Sequence, residues 1–253
     1  MKLHALPAGR LRMRESVFRP EAPRDALIDL PVGAFLIRHP WGNVLFDTGC
    51  HPSVVEDAPA RWGGLARLMV PIFTESEALP ASLATTGLGP EDIDVVVCSH
   101  LHPDHCGCNG MFRRATLICH AAEREAAGAP DAAAKGYIEA DWDQGLPVEE
   151  ITGPRDLFGD GRVLLLPMPG HTPGSVCAQV TLDRDGAFLL ASDAVSLRDH
   201  LDRDFTPRNT WNHDLARASL AEIRRLQSGG ARVVCGHDAR DWRDLRTGAA
   251  FYA

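Results

Sequence analysis

The sequence lacks several features that would assign it to a common class of protein. No apolar run approaches the roughly 18–20 residues that a membrane-spanning helix needs, and the amino terminus has no hydrophobic segment long enough for a signal peptide. Basic residues are the minority, 26 Lys and Arg against 34 Asp and Glu, so that the net charge is -8. Because nucleic acids and anionic lipids are bound by clustered basic side chains, we expect neither a nucleic acid nor a membrane as partner.

Two further absences concern reactive groups. The seven cysteines are an odd number without a repeating spacing, which indicates free thiols in a reducing compartment and predicts a cytoplasmic protein. No G-x-S-x-G pattern occurs, so an activated serine on a strand-to-helix turn is not expected. The 253 residues, 45% of them hydrophobic, suit one large domain or two small ones with a sizeable core.

The densest group of chemically active side chains lies in residues 99–107, where three imidazoles and a carboxylate occupy six positions. Side chains two residues apart point to the same side of an extended chain, and Pro103 biases the residue before it toward that conformation. We therefore expect His100 and His102 to hold one metal ion, and the turn after Pro103 to direct Asp104 and His105 toward another. The alternative is a strand end with chance polar residues, which would leave costly buried groups without partners.

Other apolar strands, or the loops after them, also deliver His or Asp at their ends. His171 lies on a loop bracketed by Gly and Pro, and Asp193 and His237 each follow a predicted strand. Because loops at strand ends build active sites on α/β scaffolds, this recurrence predicts that the groups meet at one site. Asp47 also ends a strand, and two interpretations stay open: a turn residue before Gly, or a carboxylate that orients a metal-bound histidine.

Apolar runs bounded by Gly and Pro predict most of the regular structure. Residues 2–20 are consistent with an edge hairpin. Residues 50–76 fit an ordinary buried connection, a lid or wall for an apolar substrate group, or part of a dimer interface. The remaining predictions are strands at 32–39, 44–46, 94–98, 115–119, 163–166, 176–182, 187–191 and 232–235, the first two as an antiparallel hairpin, and helices at 78–86, 121–127 and 215–227.

Five motifs together resemble the metallo-β-lactamase superfamily in order and type. The resemblance implies an α/β (α+β) fold, an αββα four-layer sandwich in a single domain over residues 1–253, with a dinuclear metal site at one edge. It covers residues 32–240, and its motifs are 45–49 (LFDTG), 99–105 (SHLHPDH), 169–174 (PGHTPG), 192–193 (SD) and 236–238 (GHD).

The resemblance also implies the ligands of each metal. Asp193 would bridge the two ions, and Asp47 would stand behind the ligands. Since all the donors are nitrogen or oxygen, two divalent ions are expected, with zinc favoured and manganese, iron and cobalt compatible. The first metal would be held by His100, His102 and His171, and the second by Asp104, His105 and His237.

Within the superfamily, the closing motif, the layout of residues 31–49 and the tail at 246–252 look most like the N-acyl-homoserine lactonase branch, a quorum-quenching group, and related bacterial lactonases. That implies opening of a lactone by a hydroxide that the two metals activate, with Asp104 passing a proton to the leaving alkoxide. The chain departs from the branch at Ser196, where a tyrosine is usual. Expected substrate contacts are Ser196, Trp211 and His213.

Alternative functions remain. A thioester, carboxylic ester or organophosphate hydrolase would use the same centre. A persulfide dioxygenase of this fold uses one iron and would not need Asp104, His105 and His237 together. A non-catalytic binding protein is disfavoured because no ligand position is lost. A homodimer is compatible with the sequence.

Overall fold

The computed structural model describes all residues, 1–253, and contains two β-sheets with helices outside them. The strands are β1 Lys2–Arg14, β2 Leu27–His39, β3 Gly42–Phe46, β4 Val70–Pro71, β5 Val95–Val97, β6 Thr116–His120, β7 Val148–Ile151, β8 Arg155–Asp156, β9 Val163–Pro167, β10 Val176–Leu182, β11 Gly186–Ser192 and β12 Arg232–Cys235. The α-helices are α1 Val54–Trp62, α2 Leu79–Ala84, α3 Pro103–Cys106, α4 Ala121–Ala127, α5 Glu139–Trp142, α6 Arg198–Arg203, α7 His213–Ser228 and α8 Ala239–Asp244.

The first sheet has seven strands in the order β4-β1-β2-β3-β5-β6-β7, and the second has five in the order β12-β11-β10-β9-β8. In the first sheet β3, β5, β6 and β7 run parallel, and β4, β1, β2 and β3 pair antiparallel. In the second sheet only β11 and β12 are parallel. Parallel neighbours need crossover connections, which here contain the helices.

The layers follow from the alternation of side chains along each strand. In β2, Leu36 faces a core shared with α1 and α2, whereas Phe35 and Ile37 face the core between the two sheets. A third core places Leu220 and Ile223 of α7 against the outer face of the five-stranded sheet. The order is helices, sheet, sheet, helices, and the four-layer αββα expectation is confirmed.

Most of the predicted elements are confirmed within a few residues at their ends. The predicted strands at 176–182 and 232–235 coincide with β10 and β12, the predicted helix at 121–127 coincides with α4, and the β2–β3 hairpin is antiparallel. No helix of the structure is both long enough and apolar enough to cross a membrane.

The edge hairpin at residues 2–20 is wrong. β1 is a single 13-residue strand, and it lies inside the sheet between β2 and the two-residue edge strand β4. β1 pairs with β2, and the connection between these strands contains a short 3-10 helix. The sequence of residues 2–20 therefore does not by itself indicate the pairing. Residues 50–76 form α1, a 3-10 turn and β4, and their largest side chains, Trp62 and Phe73, pack in the core. The ordinary buried connection is therefore the better description of that segment.

The carboxyl ends of the central strands lie at one edge of the sandwich. Asp47 follows β3, the histidine-rich segment 99–107 follows β5, and Asp193 and His237 follow β11 and β12. Parallel strands point their carboxyl ends the same way, so each sheet presents its polar termini at the same edge. The loop from β9 to β10 adds His171 from the second sheet.

Candidate metal centre

Three imidazoles from the two sheets meet in the first group of donors. His100 and His102 flank Leu101 on an extended segment, with φ -73° and ψ 152° at His102, as expected before Pro103. His100 Nε2 lies 3.1 Å from His102 Nδ1, and His171 Nε2 lies 3.1 Å from the same atom. Three imidazole nitrogens facing one point form a ligand set of the kind that zinc takes.

The second group combines two imidazoles with a carboxylate. The single turn of α3 carries Asp104 and His105, and the third member, His237, comes from the end of β12. Asp104 Oδ2 lies 3.6 Å from the Nε2 atoms of both His105 and His237. The turn after Pro103 thus brings Asp104 and His105 to His237, and the His105 ring also lies 4.1 Å from that of His100, so the two groups are in contact.

Asp193 lies between the two groups and divides its oxygens between them. Its Oδ2 is 3.4 Å from His171 Nε2, in the first group. Its Oδ1 is 2.9 Å from His237 Nε2 and 3.6 Å from His105 Nε2, in the second. Gly236 permits this approach, because a Cβ there would come within 2.8 Å of Asp193 Oδ1.

The hydrogen-bonding pattern indicates which atoms are left for a metal ion. His102 Nε2 donates to the carbonyl of Lys135 at 3.1 Å, and His237 Nδ1 donates to the carbonyl of Pro31 at 2.8 Å. The other nitrogen of each ring, Nδ1 of His102 and Nε2 of His237, faces the other donors. His105 Nε2 is buried without a hydrogen-bond partner, and the only close polar contact of the buried Asp193 Oδ1 is His237 Nε2 of the same group. Buried polar atoms without partners are rare and costly, so these donors fit bound divalent ions.

Asp47 supports the second group from behind. Its Oδ2 accepts from His105 Nδ1 at 2.9 Å, and its Oδ1 accepts from the Ser99 N–H at 2.7 Å. The Ser99 hydroxyl contacts the Ser192 hydroxyl at 2.7 Å. Asp47 and Ser192 both have positive φ, 63° and 45°, and such strained residues cluster at functional sites. Of the two open interpretations of Asp47, the contacts favour the carboxylate that orients a histidine.

Electrostatics differ between the two groups. Burial lowers the pKa of His171 to about 3 and moves that of His100 well below its ordinary value. Burial alone would also lower the pKa of His105, but Asp104 and Asp47 outweigh it and raise the pKa to about 10. For Asp193, burial is outweighed by His237 and His171, which hold the pKa well below its usual range. Neutral imidazoles and an ionised carboxylate suit metal binding, and a metal at His105 must displace a proton.

The three expected substrate contacts have different surroundings. Trp211 lies beside the donors, because its backbone N–H donates to the carbonyl of His171 at 3.1 Å. About half of its surface is exposed. Ser196 is fully buried with an unpartnered hydroxyl, and His213 is exposed and contacts Thr206 at 2.6 Å. Neither Ser196 nor His213 lines the cavity beside the donors, and their roles stay predictions.

That cavity, of about 290 Å³, opens next to the first group of donors. His102 and His171 form its inner end. Tyr137 and Trp211 form apolar walls, and the remaining lining includes Lys135 and Arg208. The Tyr137 ring lies 5.1 Å from that of His102. Tyr137 matches no motif and was missed in the sequence, because only the fold of the 132–137 turn brings it to the site.

Three other side chains near the site have structural roles. Asp238 caps α8 by accepting from the N–H of Arg240, and it also accepts from the N–H of Arg198 at the start of α6, at 2.9 Å each. Cys106 and Cys108 turn their thiols to backbone carbonyls, and burial raises the pKa of both, to about 12 for Cys108. Neither thiol belongs to a group of possible metal donors.

Comparison with known proteins defines the class. The family model of the metallo-beta-lactamase superfamily matches residues 27–237. The chain belongs to that superfamily.

Among curated proteins, the chain is similar to N-acyl homoserine lactonase AttM of Azorhizobium caulinodans, 33% identical over 100% of this chain and 98% of that protein. It is also similar to N-acyl homoserine lactonase AiiB of Agrobacterium fabrum, 37% identical over 96% of each. A solved N-acyl homoserine lactone hydrolase, with its product N-hexanoyl-L-homoserine at the catalytic metal centre, superposes with a TM-score of 0.89 at 26% identity, covering 99% and 98% of the two chains.

Proposed function

We propose that this chain is a metal-dependent hydrolase that opens the ester bond of a lactone, with N-acyl homoserine lactones as the leading substrate class. The observation that carries the proposal is the full-length similarity to curated N-acyl homoserine lactonases, together with seven donors at one edge. Two divalent ions, zinc by preference, would occupy the centre. One would lie among His100, His102 and His171, the other among Asp104, His105 and His237, with Asp193 shared.

The chemistry divides between the ions and the chain. When bound, such ions lower the pKa of a water and polarise a carbonyl. Asp193 and the imidazoles would hold the ions, and Asp47 keeps His105 oriented by accepting a hydrogen bond from its Nδ1. Asp104 would be the carboxylate that takes the proton given up by the attacking water and passes it to the leaving alkoxide as the ester C–O bond breaks.

The cavity beside His102 and His171 supplies room for the acyl part of the substrate. Its walls are the aromatic faces of Tyr137 and Trp211, which suit a short apolar chain. Lys135 and Arg208 also line this cavity, and both are exposed. Ser196, in place of the usual tyrosine, provides no aromatic hydroxyl for the carbonyl, so we expect the carbonyl to be held chiefly at the centre itself.

A substrate panel tests the proposal directly. The purified protein, loaded with zinc, is offered γ-butyrolactone, short- and long-chain N-acyl homoserine lactones, a thioester, an organophosphate triester and a β-lactam. We expect ring opening of the lactones, measured as proton release, to be the fastest reaction. Inert lactones with turnover of the thioester or the organophosphate would move the assignment to those esters. Oxygen consumption on a persulfide with a single iron would make the protein a dioxygenase.

Trp211→Ala tests the cavity. Because the indole forms a wall, its removal is expected to raise KM for a long-chain N-acyl homoserine lactone by about tenfold, equivalent to about 1.4 kcal/mol of lost contact. For γ-butyrolactone, which has no acyl chain, KM should stay unchanged. Trp41→Ala is the control, since Trp41 is also largely exposed, 68% against 50% for Trp211, and lies at the β2–β3 turn outside the cavity lining. An equal change in KM for both substrates would show that Trp211 does not contact the acyl chain.

A further inference from the structure

Glu123 is a fully buried carboxylate that none of the chemistry above uses. It lies in the first turn of α4, with 0% of its surface exposed. No basic side chain pairs with it, and the adjacent Arg124 pairs with Glu150 instead. Burying a carboxylate without a cation costs free energy of folding, so its two oxygens must accept hydrogen bonds that offset this cost.

Those contacts join the two loops that deliver the first group of donors. Glu123 Oε1 accepts from the N–H of Leu101 at 3.0 Å, and Oε2 accepts from the N–H of Gly174 at 3.0 Å. Leu101 lies between His100 and His102 on the loop after β5. Gly174 lies three residues after His171, on the loop that enters β10 of the other sheet. One carboxylate thus spans the gap between the two sheets at the site.

The packing around this contact is close and specific. A Cβ at Gly174 would lie 2.5 Å from the Glu123 backbone nitrogen and 2.6 Å from its Cβ, so only glycine allows the loop to reach the carboxylate. Tyr137, whose ring also packs near His102, stands beside Glu123; burial and this carboxylate raise the pKa of its phenol. Glu123 is therefore held by two hydrogen bonds to different loops, with Tyr137 beside it.

We propose that Glu123 is a positioning residue, which sets the placement of His171 against His100 and His102 and so the affinity of the first metal subsite. It touches neither metal nor substrate. Asp47 performs the equivalent task for the second subsite through His105, so each subsite has one buried carboxylate behind it. The inference rests on the proposed two-metal centre but not on the choice of lactone substrate.

Glu123→Gln is the decisive variant, because the side chain keeps its shape but one oxygen becomes an amide NH2 that faces a backbone N–H. Metal release to a competing chelator is followed with the zinc-loaded protein. We expect one of the two zinc ions to be released at about 10–100-fold lower chelator concentration, which is the usual loss of affinity when a partner of a metal ligand is changed. The chelator concentration that releases the other zinc ion should be unchanged. Glu125→Gln is the matched control, since Glu125 is exposed on the same helix.

Two further measurements identify the subsite and separate positioning from general stability. With cobalt as the probe, Glu123→Gln should alter the absorption of the first ion and Asp47→Asn that of the second. The melting temperature of the metal-free protein should be similar in Glu123→Gln and the parent. Parallel weakening of both ions together with a large loss of metal-free stability, or unchanged release, would overturn the inference.

Glu123→Asp covers the case in which the glutamine variant does not fold. The shorter carboxylate reaches only one of the two N–H groups, so weakening confined to the first ion is again expected, and unchanged affinity would overturn the inference. Failure of the parent protein to bind two equivalents would instead overturn the two-metal centre, and binding without lactone hydrolysis would overturn the substrate assignment alone.

Discussion

His105 combines the two influences that recur in this site. Its Nδ1 donates to Asp47, and its Nε2 faces Asp104 and Asp193 without a hydrogen bond. Carboxylates on both sides raise its pKa, so in the absence of a cation the ring holds a proton. Since a metal ion replaces that proton, the ligand and the carboxylate behind it act as one unit.

His105→Ala tests the second subsite. Removing the imidazole leaves Asp104 and His237 as an incomplete set, so we expect about one of two metal equivalents to be lost, measured by elemental analysis after gel filtration. Lactone hydrolysis should fall by at least about 10²-fold. His120→Asn is the control, because asparagine retains an acceptor for the cap that His120 provides to α4. Retention of two equivalents would place the second ion elsewhere.

Asp141 gives a pH prediction away from the site. It is fully buried and accepts from Arg61 Nε at 2.5 Å and Trp62 Nε1 at 3.1 Å. Burial, only partly offset by Arg61, raises its pKa from 3.8 to about 6. Between pH 4 and 6 the folded protein therefore holds more protons than the unfolded chain, and this contribution to the free energy of unfolding declines as pH rises through that window.

Asp141→Asn should remove that dependence. Relative to the variant, the parent is expected to lose up to about 3 kcal/mol of stability between pH 4 and pH 6. Denaturant titrations of the metal-free proteins measure the difference, since ion release then contributes nothing. Asp143→Asn, at an exposed position two residues further along the chain, is the control, and its stability should change with pH as that of the parent does. A constant offset between parent and Asp141→Asn across the window would show that Asp141 titrates normally.

At the scale of elements, α7 connects the packing of the outer helices to the site. Ala216, Leu220 and Ile223 form its buried face. Its first residues follow directly on Trp211 and Asn212, whose N–H groups donate to the carbonyls of His171 and Gly170. The start of the helix therefore anchors a loop that carries a donor, so a change in helix capping is transmitted to the site.

Asn212→Ala tests this anchoring. The Asn212 side chain accepts from the N–H groups of Asp214 and Leu215 at 3.0 Å each, which caps α7. Loss of the cap should cost about 1 kcal/mol, or about 2–4 °C in Tm for a chain of this size. Asn209→Ala, in the exposed loop before the helix, should leave Tm unchanged. Equal melting of the two variants would contradict the capping role.

At the scale of the whole molecule, the seven cysteines report on the packing of the two cores that lie between a sheet and its outer helices. Every one is buried and none forms a disulfide. Burial raises the pKa of each thiol, to about 12 for Cys108 and Cys119. Reactive thiols need exposure and a lowered pKa, and these have neither.

A thiol titration tests the packing. The folded, metal-loaded protein should react with less than about one equivalent of a disulfide reagent within minutes, and the protein in concentrated guanidinium chloride with all seven thiols. Rapid reaction of several thiols in the folded protein would contradict the packing of the layers.

A homodimer and a cytoplasmic location stay predictions, and sedimentation of the protein would test the first.

Much of the fold and of the donor set could be predicted from the sequence. The donors follow short apolar strands, and a strand with its terminal residue is a local pattern that the chain displays directly. The extended His100–Leu101–His102 segment before Pro103 is local in the same sense. The position of β1 inside its sheet was not predictable, because strand order depends on pairing between distant segments, as between β1 and the two-residue β4.

By itself, then, the sequence determined which side chains are candidate donors and which elements carry them, since both depend on neighbours along the chain. Only the tertiary structure decided how Asp193 divides its oxygens between two groups, that Asp47 and Glu123 each stand behind one of them, and that Tyr137 walls the cavity. These roles depend on contacts between segments separated by 22 to 145 positions, such as Leu101 with Glu123 and Asp47 with Ser192. Such contacts exist only once the two sheets have packed together.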